Sequence, residues 1–275
     1  MNFLWKVIKE QISHFYLIRR LSLYELKNKN KNNYLGMGWE ILNPAIQILI
    51  YWFVFGLLLS RDDITMGGEP VPFITWLIGG FFVWIFFYQS TVQGSKSVFS
   101  RLKMLSKMNF PMSIIPSYVI FSQFYVHLIT IVISIIIYQF MGFYINIYYL
   151  QLIYFMIATL IFLFAISLIT STISTIVRDF HMLLNSTLRM FLYISGVLWP
   201  LSKLEALDFP WLMNIMQLNP LYYLIEGYRA AFFGTEWYFI TNGLLTLYFW
   251  LVVFLLLIIG AGLHMRFRKH FIDFL

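Results

Sequence analysis

Cysteine is absent from this 275-residue chain, which excludes disulfides, zinc–thiolate sites and thiol catalysis. Charge is scarce: Asp, Glu, Lys and Arg make up 11% of the residues, against roughly 25% in a soluble globular domain. No G-x-x-x-x-G-K-S/T sequence occurs, so the chain has no phosphate-binding loop with which to hydrolyse ATP. Gly36-x-Gly38 follows no strand pattern and precedes no such lysine, so it is not a nucleotide motif. The histidines are scattered without an H-E-x-x-H pair, and no serine sits in a nucleophile elbow. No metal, cofactor or catalytic centre of its own is therefore expected. Carboxylates within the apolar runs are too few for the proton relay of many secondary transporters. The N-terminal stretch has no uninterrupted apolar core, so no signal peptide is expected and the N-terminus is expected to stay cytoplasmic.

What is present is apolar. Hydrophobic residues make up 60% of the chain and aromatics 20%, in runs long enough to cross a bilayer. The fold class expected is all-α integral membrane. Spans are expected over 37–59, 72–93, 114–141, 148–177, 181–200 and 241–263. The first would rise roughly 35 Å as a helix, enough to cross with some tilt. Pro44, near its start, demands a kink or a helix start there. Before it, residues 3–27 have helical periodicity: Leu4, Ile8, Ile12, Phe15, Ile18 and Leu26 gather on one side, and Lys6, Lys9, Arg20 and Lys27 on the other. That pattern describes a helix lying in the headgroup plane. Arg19 falls inside the apolar arc, where its long stem can snorkel to lipid phosphates or meet the phosphate of a lipid-linked substrate.

The segment 94–116 carries Lys96, Arg101, Lys103 and Lys107 and no acid. A basic loop between two spans faces the cytoplasm, because Lys and Arg resist translocation. Val98, Leu102, Leu105 and Met108 recur near helical spacing, so 97–108 reads as a short amphipathic helix. It is either a solvated positive-inside loop or a docking helix for a soluble motor. Of the nineteen Lys and Arg, seven lie between Lys6 and Lys31, four in this loop, one at Arg178 and three at Arg266, Arg268 and Lys269. Only Arg61, Lys203 and Arg229 fall outside, with Arg189 within the membrane. That bias favours six spans with both termini inside. The net charge of +7, placed this way, points to membrane lipids rather than nucleic acid.

Three features of the second half carry polar chemistry. Ser167, Thr170, Ser171, Ser174 and Thr175 form a small hydroxylated stripe of the kind that mediates helix packing. Arg189 lies two turns into the fifth apolar run, where it must snorkel, pair or face a watery path. Residues 201–238 alternate short apolar pieces with Pro and Gly, and read as an outer segment dipping back into the membrane as one or two short helices. Glu226 and Arg229, three apart on such a helix, are placed to pair.

The motifs Tyr34-Leu-Gly-Met-Gly-Trp-Glu-Ile-Leu-Asn-Pro, Ile50-Tyr-Trp-Phe-Val-Phe, Lys107-Met-Asn-Phe-Pro-Met-Ser-Ile-Ile-Pro, Val177-Arg-Asp and Leu218-Asn-Pro-Leu-Tyr-Tyr-Leu-Ile-Glu-Gly-Tyr-Arg occur in this order. With the closing His264-Met-Arg-Phe-Arg and Phe271-Ile-Asp-Phe-Leu, the chain resembles, nearly end to end, the ABC-2 type permeases that export polysaccharides. Among these it is most similar to the teichoic acid translocation permeases (the TarG or TagG group). Ser195-Gly196 departs from the Ser-Pro of many relatives.

The resemblance implies an interfacial helix and link (1–33), a transmembrane domain (34–266) and a cytoplasmic tail (267–275). It implies a homodimer carrying two separate P-loop ATP-binding subunits of the TarH or TagH kind, which hold the ATP and Mg, so that this chain is no enzyme by itself. The cargo implied is wall teichoic acid on undecaprenyl diphosphate, moved outward through the plasma membrane of a Gram-positive bacterium. Ser97, Arg101, Leu102, Lys103, Leu105, Lys107, Arg178 and Asp179 would then contact the ATPase. Arg19, Arg20, Lys27 and Arg189 would receive the diphosphate. Trp39, Tyr51, Trp52, Phe55, Tyr193 and Trp199 would offer the polymer aromatic faces along the first and fifth spans, unless they merely face lipid. The same machine moving O-antigen or capsule is the nearest rival. A secondary transporter or channel, and a scaffold for glycan enzymes, are the others.

Overall fold

A computed structural model describes residues 2–29, 31, 33–58, 62–102, 110–201 and 210–271. The amphipathic stretch expected over 3–27 is two helices, α1 (Asn2–Ser13) and α2 (Phe15–Lys29). They part at His14, where the Ser13 hydroxyl and His14 Nδ1 both reach the Glu10 carbonyl, at 3.3 and 3.0 Å. Side chains that compete for a backbone acceptor weaken the helical ladder. The break shifts the buried face. Ile18 and Leu26 are buried as expected, whereas Ile12 and Phe15 are exposed and Val7 is buried instead. Val7 packs with Leu168, Ala261 and Met265, and Ile18 with Val98, Leu102 and Ile114.

Polar contacts fasten α1 at its end. Arg268 Nη1 donates to Glu10 Oε1 at 2.8 Å, the Ser113 hydroxyl donates to the other carboxylate oxygen, and Gln11 Nε2 donates to the Ser113 carbonyl at 3.0 Å. Burial pushes the Glu10 pKa up, but the hydrogen bonds from Ser113 and Arg268 and the guanidinium charge outweigh it, and the carboxyl is held below its ordinary 4.5. A depressed carboxyl pKa stabilises the folded clamp above the unfolded value and loses it as pH falls through the folded one. The protection of the α1 amides, relative to their intrinsic exchange rate at each pH, should therefore fall as pH drops below about 4.5. Glu10→Gln should exchange fast at neutral pH and show little further change.

A 3-10 turn at Gly36–Gly38 leads into α3 (Trp39–Tyr51), which continues as a π-helical stretch, Trp52–Leu58. Pro44 does not start the helix; it sits inside it and is its one buried residue. The stretch 62–71 closes as a hairpin of β1 (Ile64–Met66) and β2 (Glu69–Val71) across Gly67-Gly68, both at positive φ.

The next helix, α4 (Phe73–Lys96), is apolar all round and is covered on most sides by its neighbours. Its hydrophobic window is 78% buried, against 6% for the first span. It packs against α5 (Ile114–Phe140) and α6 (Gln151–Ile176). The hydroxylated stripe of α6, Ser167 through Thr175, is buried between helices.

The fifth expected span is shorter than 181–200. It is α7 (Asp179–Ile194), 16 residues or about 24 Å, less than the roughly 30 Å of a bilayer core. The Ser195 hydroxyl returns to the Phe191 carbonyl at 2.6 Å, and Gly196 at φ +69 turns the chain out of the helix. Among the described residues five helices are thus long and apolar enough to cross a membrane; the fifth expected span, 181–200, is not one of them.

Two short helices follow, α8 (Pro210–Gln217) and α9 (Pro220–Phe233), then α10 (Tyr238–Thr241) and the last long helix, α11 (Gly243–Phe267). Asn219 caps α9 by accepting from Leu221 N at 3.0 Å, with Pro220 pre-set for the first turn. This helix is buried against α4 and α6. Arg229 on it is wholly buried. Its Nη1 donates to Glu226 Oε1 at 2.6 Å and to the Gly196 carbonyl at 3.0 Å. Its Nη2 donates to the Val197 carbonyl at 3.1 Å, and its Nε to the Trp76 carbonyl at 3.3 Å. The guanidinium stands 3.5 Å over the Trp76 ring. Gly80 makes room: a Cβ there would lie 2.5 Å from Arg229 Nη2.

Candidate functional site, an aromatic and cationic cavity among the spans

Residues one helical turn apart share a face. On α3, Trp39, Asn43, Gln47 and Tyr51 form such a row, and on α7 so do His181, Asn185, Arg189 and Tyr193. The α7 row is aimed by two bonds to α4. His181 Nδ1 and the Ser95 hydroxyl are 2.7 Å apart, and the Tyr88 hydroxyl donates to Asn185 Oδ1 at 2.7 Å. One turn beyond, Arg189 and Tyr193 then open onto a cavity of about 770 Å³. The α3 row lines its other side, and Trp84, Phe86 and Gln89 of α4 with Gln123 and His127 of α5 close it. Ligand sites typically have volumes of roughly 300–1,000 Å³.

The lining is aromatic, amide-rich and net cationic. Lys29 and Arg189 are its cations and Glu40 its one acid. Lys29 Nζ pairs with Glu40 at 2.7 Å, tying the end of α2 to the first turn of α3. Ring faces, amides and one uncompensated positive charge suit a solute with apolar faces, hydroxyls and an anionic group.

Of the path residues expected from sequence, the cavity gathers Trp39, Tyr51 and Tyr193, and with them Arg189, expected to receive the diphosphate. Trp52, Phe55 and Trp199 do not line it. Phe55 packs between Tyr51 and Phe73, and Trp199 Nε1 donates to the Tyr193 carbonyl at 2.7 Å, bracing the chain beyond α7. Arg19, Arg20 and Lys27 are exposed on α2 and stand outside the cavity; Lys29, two residues beyond Lys27, is the α2 cation that reaches it. Asn43, Gln47, Gln89, Gln123 and His127 went unread in the sequence, although the four-residue spacing of the two α3 amides with Trp39 and Tyr51 marks their face.

The basic loop begins as a 3-10 turn, Phe99–Arg101, while Lys103, Leu105 and Lys107 lie outside the described residues. Leu102 and Val98 do not present an apolar face outward; they are buried against Ile18 and Ile114. Ser97 is buried too. Arg101 pairs with Glu25 of α2, donates to the Ser97 carbonyl at 3.0 Å and lies 5.6 Å over the Tyr118 ring. Arg178 and Asp179 are exposed at the start of α7. Glu226 and Arg229 do pair, but away from the cavity lining. Among the described residues no three His, Asp or Glu side chains converge on a metal site.

Several long apolar helices around a polar, solute-sized cavity define a multi-pass membrane permease. The chain belongs to the ABC-2 type transporter family, which it matches over residues 16–233. It is 23% identical over 228 residues to the O-antigen export system permease protein RfbA of Myxococcus xanthus, covering 83% of this chain and 84% of that one. It is 26% identical over 257 residues to an RfbA permease of Klebsiella pneumoniae, covering 91% and 92%. As a permease of this family it is the membrane subunit of a transport system that works with an ATP-binding partner.

Proposed function

We propose that this chain is the membrane subunit of an ATP-driven exporter that carries a polyprenyl-diphosphate-linked glycan polymer from the cytoplasm to the outer face of the plasma membrane. The observation that supports this best is the cavity itself, with its aromatic faces, amides and Arg189. In this reading Arg189 and Lys29 receive the diphosphate as charge-assisted partners, and the aromatic rows carry the sugars. Arg19, Arg20 and Lys27 hold α2 at the headgroups. The sparse burial of α3 and the exposed Met182, Leu183, Met190 and Phe191 of α7 favour a second copy of the chain alongside. The curated relatives favour an O-antigen polymer; the order of motifs from Tyr34 to Arg229 favours wall teichoic acid. The relatives carry more weight, because their likeness spans most of both chains.

The ATP-binding subunit would engage the turn around the exposed Ser100 and the exposed start of α7 at Arg178 and Asp179. Movement there passes to α2 through Arg101 and Glu25, and one turn further to α3 through Lys29 and Glu40. Glu25→Arg or Arg101→Glu alone should therefore lower export while ATP hydrolysis persists, and the double swap should recover it. The pair is partly buried and Arg101 also holds the Ser97 carbonyl, so export is read per permease present in the membrane, and a loss that only follows abundance would overturn the relay.

The reading as a whole is tested by mass spectrometry of what copurifies from the native host in mild detergent. A stoichiometric P-loop ATPase with a polyprenyl diphosphate glycan supports it. Sugar repeats identify an O-antigen or capsule cargo, and polyol phosphate repeats a teichoic acid. A preparation that reproducibly lacks any ATPase overturns it in favour of a secondary transporter.

A further inference from the structure

The cavity wall opposite α3 holds a group that the exporter reading leaves idle. His127 is 2% exposed, and its ring stacks on Phe86 with centroids 4.4 Å apart and planes at 9°. Its Nε2 lies 3.1 Å from the Tyr228 hydroxyl on α9, which fixes the ring from behind. Its Nδ1 has no hydrogen-bond partner, although it is buried. Gln123, one turn earlier on α5, is 5% exposed, and its amide nitrogen reaches only the Ser122 hydroxyl at 3.5 Å. Both residues line the cavity, as does Gln89 across from them on α4.

Buried polar atoms are nearly always satisfied, so an idle ring nitrogen beside under-used amides in a ligand-sized cavity calls for a ligand atom. The Tyr228 hydroxyl can donate to Nε2 or accept from it, so Nδ1 is left as a donor in one tautomer and an acceptor in the other. A hydroxyl is both donor and acceptor and satisfies either. An amide offers the same pair of roles to a neighbouring hydroxyl, while Phe86 and Trp84 supply flat apolar area. A phosphate would serve poorly at this wall, since it cannot donate and meets no cation on α4 or α5 among the lining residues. We infer that His127, Gln123 and Gln89 form a hydroxyl-recognising subsite for one uncharged sugar ring of the polymer, apart from the cations that receive its diphosphate. This deepens the exporter reading and rests on it.

The test uses the whole permease–ATPase complex in nanodiscs and two probes, undecaprenyl diphosphate alone and the same lipid bearing one N-acetylhexosamine. The sugar should tighten binding by about tenfold, as two added hydrogen bonds would. His127→Phe keeps the stack on Phe86, and Gln123→Leu keeps the volume. Each should cut that gain to about threefold, and the two together should abolish it, leaving the bare lipid's affinity unchanged in complexes that stay monodisperse. Bare lipid bound without any gain from the sugar, or a tenfold gain that persists in the double variant, overturns the subsite and leaves the exporter standing. Failure of either lipid to bind overturns the exporter reading, and the subsite with it.

Discussion

Replacing Arg229 with Met should lower the thermal midpoint of the detergent-solubilised protein sharply and reduce its abundance in the membrane. Breaking a buried ion pair by removing one partner costs about 3–5 kcal/mol. Here the loss is wider, because the guanidinium also satisfies the carbonyls of Trp76, Gly196 and Val197. Those three acceptors lie on α4 and on the turn that ends α7, so the side chain decides where α7 stops. Arg229→Lys should recover little. An ammonium is a compact point charge with three donors and lacks the planar fork that spans these acceptors. Glu226→Gln should be milder than either, since the carbonyl contacts remain. Fluorescence-detected size exclusion after stepwise heating measures all three, and an unchanged midpoint for Arg229→Met would refute the clamp.

Arg189→Ala should do the opposite: export should fall by tenfold or more while membrane abundance and thermal midpoint stay at the parental level. Arg189 is exposed to the cavity and forms no salt bridge among the described residues, so the fold does not depend on it. What it loses is a charge-assisted bond to an anion, of about 1.5–3 kcal/mol. Arg189→Lys should keep part of the activity, because the charge survives without the fork. Equal loss of export and abundance would instead make Arg189 structural. The two arginines make the contrast plain. One is enclosed and has four of its five N–H donors placed; the other stands in the cavity with its charge unspent.

The Glu226–Arg229 pair was legible from its spacing of three on a helix, but not its scale, because Trp76, Gly196 and Val197 are remote in sequence. The hairpin over 64–71 carried a readable signal in Gly67-Gly68, which the acids around it obscured. The apolar spacing of Val98 and Leu102 marked a covered face, although Val98 lies in a turn and Phe99–Arg101 is a 3-10 turn, and the partner of that face was not legible. Those side chains meet Ile18 and Ile114 of the same chain. A periodicity states that a face is covered, never by what. Arg19, Arg20 and Lys27 went the same way: their charge was plain, but a break at His14 and the reach of α2 to Lys29 decided which cation meets the cavity.

The sequence by itself determined the all-helical membrane class, the dearth of catalytic chemistry and four of the cavity residues. Those conclusions rest on run length, composition and one-turn spacing, which are properties of adjacent residues. Tertiary structure decided the short α7, the burial of α4 and the joining of α2, α3, α4, α5 and α7 around one cavity. Each of these follows from contacts between residues far apart in the chain, such as Tyr88 with Asn185 or Arg229 with Gly196. Local periodicity carries no record of them, because a helix face looks alike in sequence whether it meets lipid, a neighbouring helix or a sugar.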